Sequence, residues 1–364
     1  MKLLFLSFPK ERKCKLAKER KGVLKRNTVK FLGVFFMVRV AINGFGRIGR
    51  IILRQGLKKK NIEWVAINDL TDNKTLSHLF KFDSVHGIYS EEVSSTENSI
   101  SVGNKKINAY SIANPEELPW KELKVDVVFE CTGRFRKNSD FKKHLKAGAK
   151  KVIVSAPAEE VDATIVLGVN NSDIKKENQN YSNASCTTNC LAPVAMVLEK
   201  EFGIVSGMMN TIHAYTSDQQ LLDAPHKDLR RARAAALSII PTTTGASKAV
   251  GKVLPSVQGK MDGIALRVPV PNGSLTDFIC IVKKETTKEE VNFALKKASE
   301  TYLKDILQYS EDPLVSHDII GNSYSSIVDS LMTQVVNKNM VRVMSWYDNE
   351  WGYSARMLDL LGKI

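Results

Sequence analysis

Between Val38 and Asp69 the sequence leaves the chain few ways to fold. Val38-Arg39-Val40-Ala41-Ile42-Asn43 is a short β-branched apolar run, and Gly44-Phe45-Gly46-Arg47-Ile48-Gly49 follows it without a gap. Arg50 to Lys58 then reads as a helix with Ile51, Ile52 and Leu53 available for burial. Strand, tight glycine turn and helix in that order build a phosphate cradle. Gly44 permits the turn, Gly46 lets the backbone approach a pyrophosphate, Gly49 lets the helix pack on the strand, and the helix N-terminus favours the anion. A second strand, Ile62 to Asn68, ends at Asp69, where a carboxylate accepts from a ribose 2′-hydroxyl. The same charge repels a 2′-phosphate. The pattern therefore predicts a dinucleotide site that favours NAD over NADP.

Element types continue to alternate: Val125 to Cys131 as a strand, Ser139 to Ala147 as a helix stopped by Gly148, then Lys151 to Ser155 and Ala163 to Gly168 as strands. Such alternation predicts a doubly wound sheet, whose ligands lie beyond the carboxyl ends of the strands. Thr132-Gly133 and Ser155-Ala156-Pro157 are thereby expected to approach the cofactor.

Composition excludes several other classes. The 364 residues are 43% hydrophobic and 25% charged, an ordinary globular balance, and no apolar run reaches the length of a membrane-spanning helix. Five cysteines, Cys14, Cys131, Cys186, Cys190 and Cys280, are too few and odd in number for a disulfide framework, which points to a reducing, cytoplasmic setting. Of the net charge of +14, nine units lie in residues 1–36, where eleven Lys or Arg face only Glu11 and Glu19. The remaining +5 is a mildly basic surface suited to anionic substrates, and nucleic acid is not expected as the primary partner. Residues 1–36 fit neither a secretory signal nor an Arg- and Ser-rich transit peptide, and are expected to be a disordered leader or a non-native start, with the globular chain beginning at Met37. No metal site is expected.

Ser182 to Cys190 is small and polar, and Leu191 to Phe202 then turns apolar with helical spacing, which sets Cys186 at a helix N-terminus. Partial positive charge there favours a thiolate, the attacking species of a nucleophilic cysteine. Cys190 lies one turn deeper and reads as a packing or redox neighbour, while Cys131 and Cys280 belong to strands. Among six histidines, His213 closes the apolar strand Ile204 to Ile212 and opens a polar stretch, the best location for a base. Thr242-Thr243-Thr244-Gly245 can form a phosphate nest, and Arg230, Arg231, Arg233 and Arg267 supply cations; the three clustered arginines read equally well as a solvated basic face.

Asn43-Gly44-Phe45-Gly46-Arg47-Ile48-Gly49-Arg50, Ser185-Cys186-Thr187-Thr188-Asn189-Cys190, His213-Ala214-Tyr215-Thr216, Pro241 to Gly245, Arg267-Val268-Pro269-Val270-Pro271 and Trp346 to Tyr353 together resemble the phosphorylating glyceraldehyde-3-phosphate dehydrogenases of bacterial or organelle type, over Met37 to Ile364. The resemblance implies an α/β protein with a doubly wound (Rossmann) NAD-binding domain, 37–185, and an α+β catalytic domain, 186–348, with a mixed sheet and helices on one face. It implies a C-terminal helix, about 349–364, that returns to the first domain. It also implies oxidation of glyceraldehyde 3-phosphate to 1,3-bisphosphoglycerate, with Cys186 forming a thiohemiacetal and then a thioester, and His213 as its base. Asn43 to Gly49, Asp69, Thr132, Ser155, Asn349 and Tyr353 are implied in NAD binding. Thr216 and Arg267 are implied for the substrate phosphate, Ser185, Thr187, Thr244 and Gly245 for the attacking phosphate, and Arg231 between them. A homotetramer in which the loop 214–238 reaches a neighbour is implied as well. Ala113-Asn114 departs from the family where a basic residue often faces adenine, and Ala224-Pro225 is intermediate between NAD- and NADP-using relatives, so Asp69 decides for NAD. Erythrose-4-phosphate dehydrogenase and a polyanion-binding protein acting through the basic leader are the alternatives.

Overall fold

The computed structural model describes residues 37–364; the expected leader, with Cys14, lies outside the described residues. A nine-stranded sheet runs, edge to edge, Ala163–Thr164, Asn180–Ser182, Lys151–Val154, Val127–Glu130, Val38–Asn43, Ile62–Asn68, Lys105–Tyr110, Ser99–Val102 and Val93–Thr96. Its first seven strands pair in parallel, and the last two add an antiparallel meander at one edge. Successive connections leave Val38–Asn43 and Val127–Glu130 in opposite directions, so the sheet order reverses between those two central strands. Both have buried carboxyl-terminal ends that face the glycine turn.

The glycine turn folds tighter than its pattern predicts. The helix spans Arg47–Gly56, so the motif itself supplies the first helical turn, with Gly46 as N-cap. Gly44 has φ +91°, and a Cβ there would lie 2.5 Å from the Thr132 nitrogen. A Cβ at Gly49 would lie 2.3 Å from the Gly44 carbonyl oxygen. Only glycine meets both close approaches. The strand expected over Ala163 to Gly168 is confined to Ala163–Thr164. Asn170 ends it, because its side chain accepts from the Val166 N–H at 2.9 Å and donates to the Thr164 carbonyl at 2.8 Å, capturing groups that a longer ladder would need.

The second sheet is mixed, in the order Ile240–Thr243, Met261–Val268, Ile204–Ala214, Ser274–Val282, Met340–Tyr347, Ser326–Val336, Leu307–Ser310. One face is covered by the helices Cys186–Phe202, Ala246–Val253 and Lys288–Glu300, whose Leu191, Val194, Leu198, Val250, Val291 and Leu295 are buried. The other face carries exposed apolar side chains, with Met208 61%, Ile264 48% and Leu331 50% exposed. The last helix, Trp351–Leu361, packs on Arg47–Gly56 and sends Met357, Leu358 and Leu360 into the core of the first sheet. Each of these buried side chains stabilises the docking by about 1.5–3 kcal/mol. Gln55 Nε2 adds a hydrogen bond to the Trp351 carbonyl at 2.9 Å. The residues just before this helix, Asp348 to Glu350, are thereby fixed between the glycine turn and the second sheet.

Candidate active site

Cys186 is the first residue of its helix, and the Ser185 hydroxyl caps it by accepting from the Thr188 N–H at 3.0 Å. The chain enters this helix through Ala184 in the left-handed region, φ +53°, with its carbonyl accepting from the Tyr353 hydroxyl at 3.0 Å. Strain of this kind persists only where surrounding contacts over-determine it. Here the bend delivers the thiol to a cavity shared with His213, Thr216, Ser155, Asn349 and Tyr353. Ser185, Arg47 and Ile48 line the same cavity. Residues far apart in sequence thus converge on one opening between the two sheets.

His213 lies near the end of Ile204–Ala214, and its Nε2 is 3.5 Å from Cys186 Sγ. Its Nδ1–H donates to the Ala214 carbonyl at 2.7 Å, which leaves the Nε2 lone pair facing the thiol. The Tyr347 ring meets the imidazole edge-on at 5.8 Å, and its hydroxyl is shared between Thr187 Oγ1 and Thr211 Oγ1, each at 2.8 Å. Arg267 Nη1 donates to the Ala214 carbonyl at 3.0 Å and lies 2.8 Å from His213 Nδ1.

Burial and the Arg267 charge push the His213 pKa down to about 3. Burial also pushes the Cys186 thiol up, against the pull of Arg267 and the Thr187 hydrogen bonds. The helix terminus therefore does not by itself produce the thiolate expected from position alone: in this enclosed site the neutral thiol and neutral imidazole are favoured, and His213 stands as a base ready to accept. Burial raises the other thiols too, Cys190 to about 11 and Cys280 to about 12, and Cys131 upward as well. Cys190 is fully buried, within reach of the Thr276 and Ser326 hydroxyls.

The anion-binding residues named from the sequence are only partly assembled around the thiol. Thr216 lines the cavity, and Arg267 has a buried Nε with no partner among the described residues, a donor suited to a ligand oxygen. Thr187 is buried behind the thiol with its hydroxyl held by Tyr347, so it does not line the opening. Thr244 Oγ1 accepts from the Ala246 N–H at 3.2 Å, Gly245 caps the helix Ala246–Val253, and neither lines the Cys186 cavity. Arg231 is tied to Asp218 and Asp228 and donates to Thr242 Oγ1 at 3.0 Å. Those two carboxylates carried no sequence motif; only the chain's return brings them to Arg231.

A second cavity opens at the glycine turn, lined by Gly44, Gly46, Asp69, Ile112, Thr132 and Phe135. A Cβ on Gly46 would meet nothing within 4 Å, unlike those on Gly44 and Gly49, so its backbone faces open space. Asp69 accepts from the Phe45 N–H at 2.7 Å and from the Thr71 N–H at 3.0 Å, which pins the carboxylate at the rim with lone pairs to spare. Asn43 points its side chain into the protein instead, donating to Glu130 at 2.6 Å. Arg47, at the edge of the Cys186 cavity, is held by protein partners, with Nε 2.7 Å from Glu350 and Nη1 2.8 Å from Asp83. At the other end, Asn349 Oδ1 accepts from the Ser274 hydroxyl at 2.7 Å, which leaves its amide N–H groups without an acceptor among the described residues. Such an open backbone, a rim carboxylate and a free amide donor fit the phosphates, ribose and carboxamide of a dinucleotide.

Residues 38–138 match the family Glyceraldehyde 3-phosphate dehydrogenase, NAD binding domain, and residues 185–349 match Glyceraldehyde 3-phosphate dehydrogenase, C-terminal domain. The chain belongs to the glyceraldehyde-3-phosphate dehydrogenase family. It is 58% identical over 328 residues to a glyceraldehyde-3-phosphate dehydrogenase of Geobacillus stearothermophilus, which covers 90% of this chain and 98% of the relative. Identity is 57% over 325 residues to glyceraldehyde-3-phosphate dehydrogenase 1 of Bacillus cereus, covering 89% and 97%, and 54% over 334 residues to the enzyme of Borreliella burgdorferi, covering 90% and 99%. Membership in this dehydrogenase family makes the chain an oxidoreductase with NAD as cofactor and an α/β fold of Rossmann and catalytic parts.

Proposed function

We propose that this chain catalyses the oxidative phosphorylation of D-glyceraldehyde 3-phosphate to 1,3-bisphosphoglycerate, with Cys186 as nucleophile and His213 as base. The observation that carries the reading is the 3.5 Å approach of Cys186 Sγ to His213 Nε2 at the mouth of a shared cavity. His213 takes the thiol proton as sulfur bonds to the aldehyde carbon and passes it to the carbonyl oxygen, which becomes the hydroxyl of a thiohemiacetal and leaves the imidazole neutral again. His213 then takes that hydroxyl proton as the C–H electron pair departs. When bound, NAD supplies the two-electron acceptor for this oxidation. The resulting thioester carbon is attacked by an oxygen of inorganic phosphate; the C–S bond breaks, the acyl phosphate leaves, and the proton held by His213 returns to sulfur to restore the thiol. The unpaired Cys186 N–H at the helix N-terminus and the imidazole are suited to stabilise charge on the carbonyl oxygen.

The assignment of the anions is the one the family resemblance implies, supported at Arg267 by a buried Nε with no partner among the described residues. Thr216 and Arg267 take the substrate phosphate; Ser185, Thr187, Thr244, Gly245 and Arg231 take the attacking phosphate once their present partners release them. Domain boundaries at 37–185, with 349–364 returning, and 186–348 accompany this reading. So does a homotetramer, supported by the uncovered apolar sheet face and by Leu221, Leu222, Leu229 and Leu237, all 69–81% exposed on the loop 214–238. A cytoplasmic location is favoured by four free cysteines among the described residues.

The substrate is tested by NADH formation with glyceraldehyde 3-phosphate and with erythrose 4-phosphate, each with and without phosphate. A kcat/KM for the triose at least tenfold above that for the tetrose supports the reading, and the reverse order overturns it. Cofactor choice has its own test. Asp69→Asn keeps an acceptor for the Phe45 N–H but removes the charge, so the NADP-to-NAD ratio of kcat/KM is expected to rise about tenfold, worth ~1.4 kcal/mol. A ratio that does not move would show that Asp69 does not face the ribose.

A further inference from the structure

Behind the wall of the cofactor cavity, the strand Val127–Glu130 ends on a carboxylate with no exposed side-chain surface. Glu130 Oε1 accepts from the Thr132 N–H at 2.8 Å and from the Thr132 hydroxyl. Oε2 accepts from Asn43 Nδ2 at 2.6 Å and from His144 Nε2 at 3.0 Å. Trp120 Nε1 donates to His144 Nδ1 at 3.0 Å, so one tautomer alone, with the proton on Nε2, serves both neighbours. Asn43 Oδ1 in turn accepts from Asn68 Nδ2 at 2.7 Å, and Asn68 exchanges hydrogen bonds with the Ile112 N–H and carbonyl, both at 2.9 Å. One buried polar chain thus ties together four segments that line the cavity: the glycine turn after Asn43, the Asp69 turn after Asn68, Ile112 and Thr132. It lies where the sheet order reverses, the location at which doubly wound sheets bind ligands.

A fully buried carboxylate is costly, and an apolar side chain would fill the same space more cheaply if packing were the only demand. What the carboxylate does that an apolar residue could not is accept four donors at once, three of them from cavity-lining segments. We propose that Glu130 is a positioning residue for the dinucleotide: with His144 and Trp120 behind it, it holds Thr132 and Asn43 at the separation NAD binding requires. This rests on the NAD site described above. Glu130 itself touches neither substrate nor reacting atoms.

Glutamine cannot replace it. Its amide N–H2 must face either the Thr132 N–H or the pair from Asn43 and His144, and each placement sets donor against donor. Trp120→Phe acts from the far end, releasing the His144 tautomer without touching the cavity. NAD dissociation constants are measured by tryptophan-fluorescence quenching or calorimetry on the full chain, beside kcat at saturating NAD and the rate of Cys186 alkylation by iodoacetamide. Glu130→Gln is expected to raise the NAD Kd at least tenfold and Trp120→Phe three- to tenfold, each rise exceeding any fall in kcat at least fivefold, with the alkylation rate within twofold of wild type. Unchanged Kd values in both variants, or a fall in kcat as large as the rise in Kd, would overturn the positioning role. Should Glu130→Gln not fold, Trp120→Phe alone decides by the same criteria. Wild-type protein that fails to bind NAD at all would instead remove the cofactor site itself, an outcome distinct from either.

Discussion

Cys186→Ser is expected to lower turnover with glyceraldehyde 3-phosphate by at least about 10⁴-fold, roughly 5.5 kcal/mol of transition-state stabilisation. The serine hydroxyl is isosteric, so the helix cap from Ser185 and the bend at Ala184 keep their partners, and the glycine turn with Asp69 is untouched. What is lost is the polarisable sulfur whose proton His213 can remove; a hydroxyl is a far weaker acid and its alkoxide a poorer leaving group when phosphate attacks. NAD affinity should stay within about twofold. Steady-state NADH formation and NAD titration of the same preparation separate the two effects. Substantial residual turnover would transfer the nucleophile to another residue, and no other thiol among the described residues is open to the cavity.

His213→Asn is expected to cost about 10²–10⁴-fold in kcat/KM, the usual contribution of a positioned base. The pH dependence carries the sharper signature. In the wild type the imidazole pKa is pushed down to about 3, so the base form persists through the neutral and mildly acidic range and protonation of His213 does not limit the rate there. Without it, attack depends on spontaneous ionisation of a thiol that burial has raised, so the variant's rate should climb about tenfold per pH unit until that thiol titrates. Stability follows the same group with a definite sign. A histidine whose folded pKa lies below its unfolded value contributes stability above about pH 6.5, and loses it as the pH falls toward 3 because the unfolded chain takes up the proton first. Wild-type protein should lose up to about 1.4 kcal/mol per pH unit over that window from this residue, and the asparagine variant should lack that part of the slope. Parallel urea melts at pH 7 and pH 5 check the difference.

The sequence carried most strongly those features whose chemistry depends on neighbours in the chain. Gly44, Gly46 and Gly49 with Asp69 are legible because the turn, the helix start and the carboxylate at a strand end are all local consequences of residue type. The helix start at Cys186 is legible for the same reason, as a small polar stretch gives way to apolar helical spacing. The antiparallel meander from Val93 to Tyr110 left no such trace, since its polar alternation at a sheet edge resembles loop composition. The short strand Ala163–Thr164 is shorter than its pattern predicts because the Asn170 side chain, six residues beyond Thr164, decides where the ladder stops. Residues whose roles arise only from long-range convergence were invisible: Glu350 and Asp83 around Arg47, Tyr347 under His213, Asp218 and Asp228 on Arg231, and Glu130 between Thr132 and Asn43. The direction of the Cys186 shift was missed for a related reason. Helix position is written in the sequence, whereas the desolvation that opposes it depends on what the rest of the chain packs around the thiol.

The central claim is that an acyl group waits on Cys186 until phosphate removes it, and a single rapid-mixing measurement addresses it directly. The enzyme, saturated with NAD, is mixed with glyceraldehyde 3-phosphate in phosphate-free buffer while NADH absorbance is followed, and phosphate is added after the signal levels. The account predicts a burst of at most one NADH per chain, a plateau, and resumption of steady turnover when phosphate arrives, with no burst in Cys186→Ser. Sustained turnover before phosphate is added, or no burst in the wild type, would contradict it.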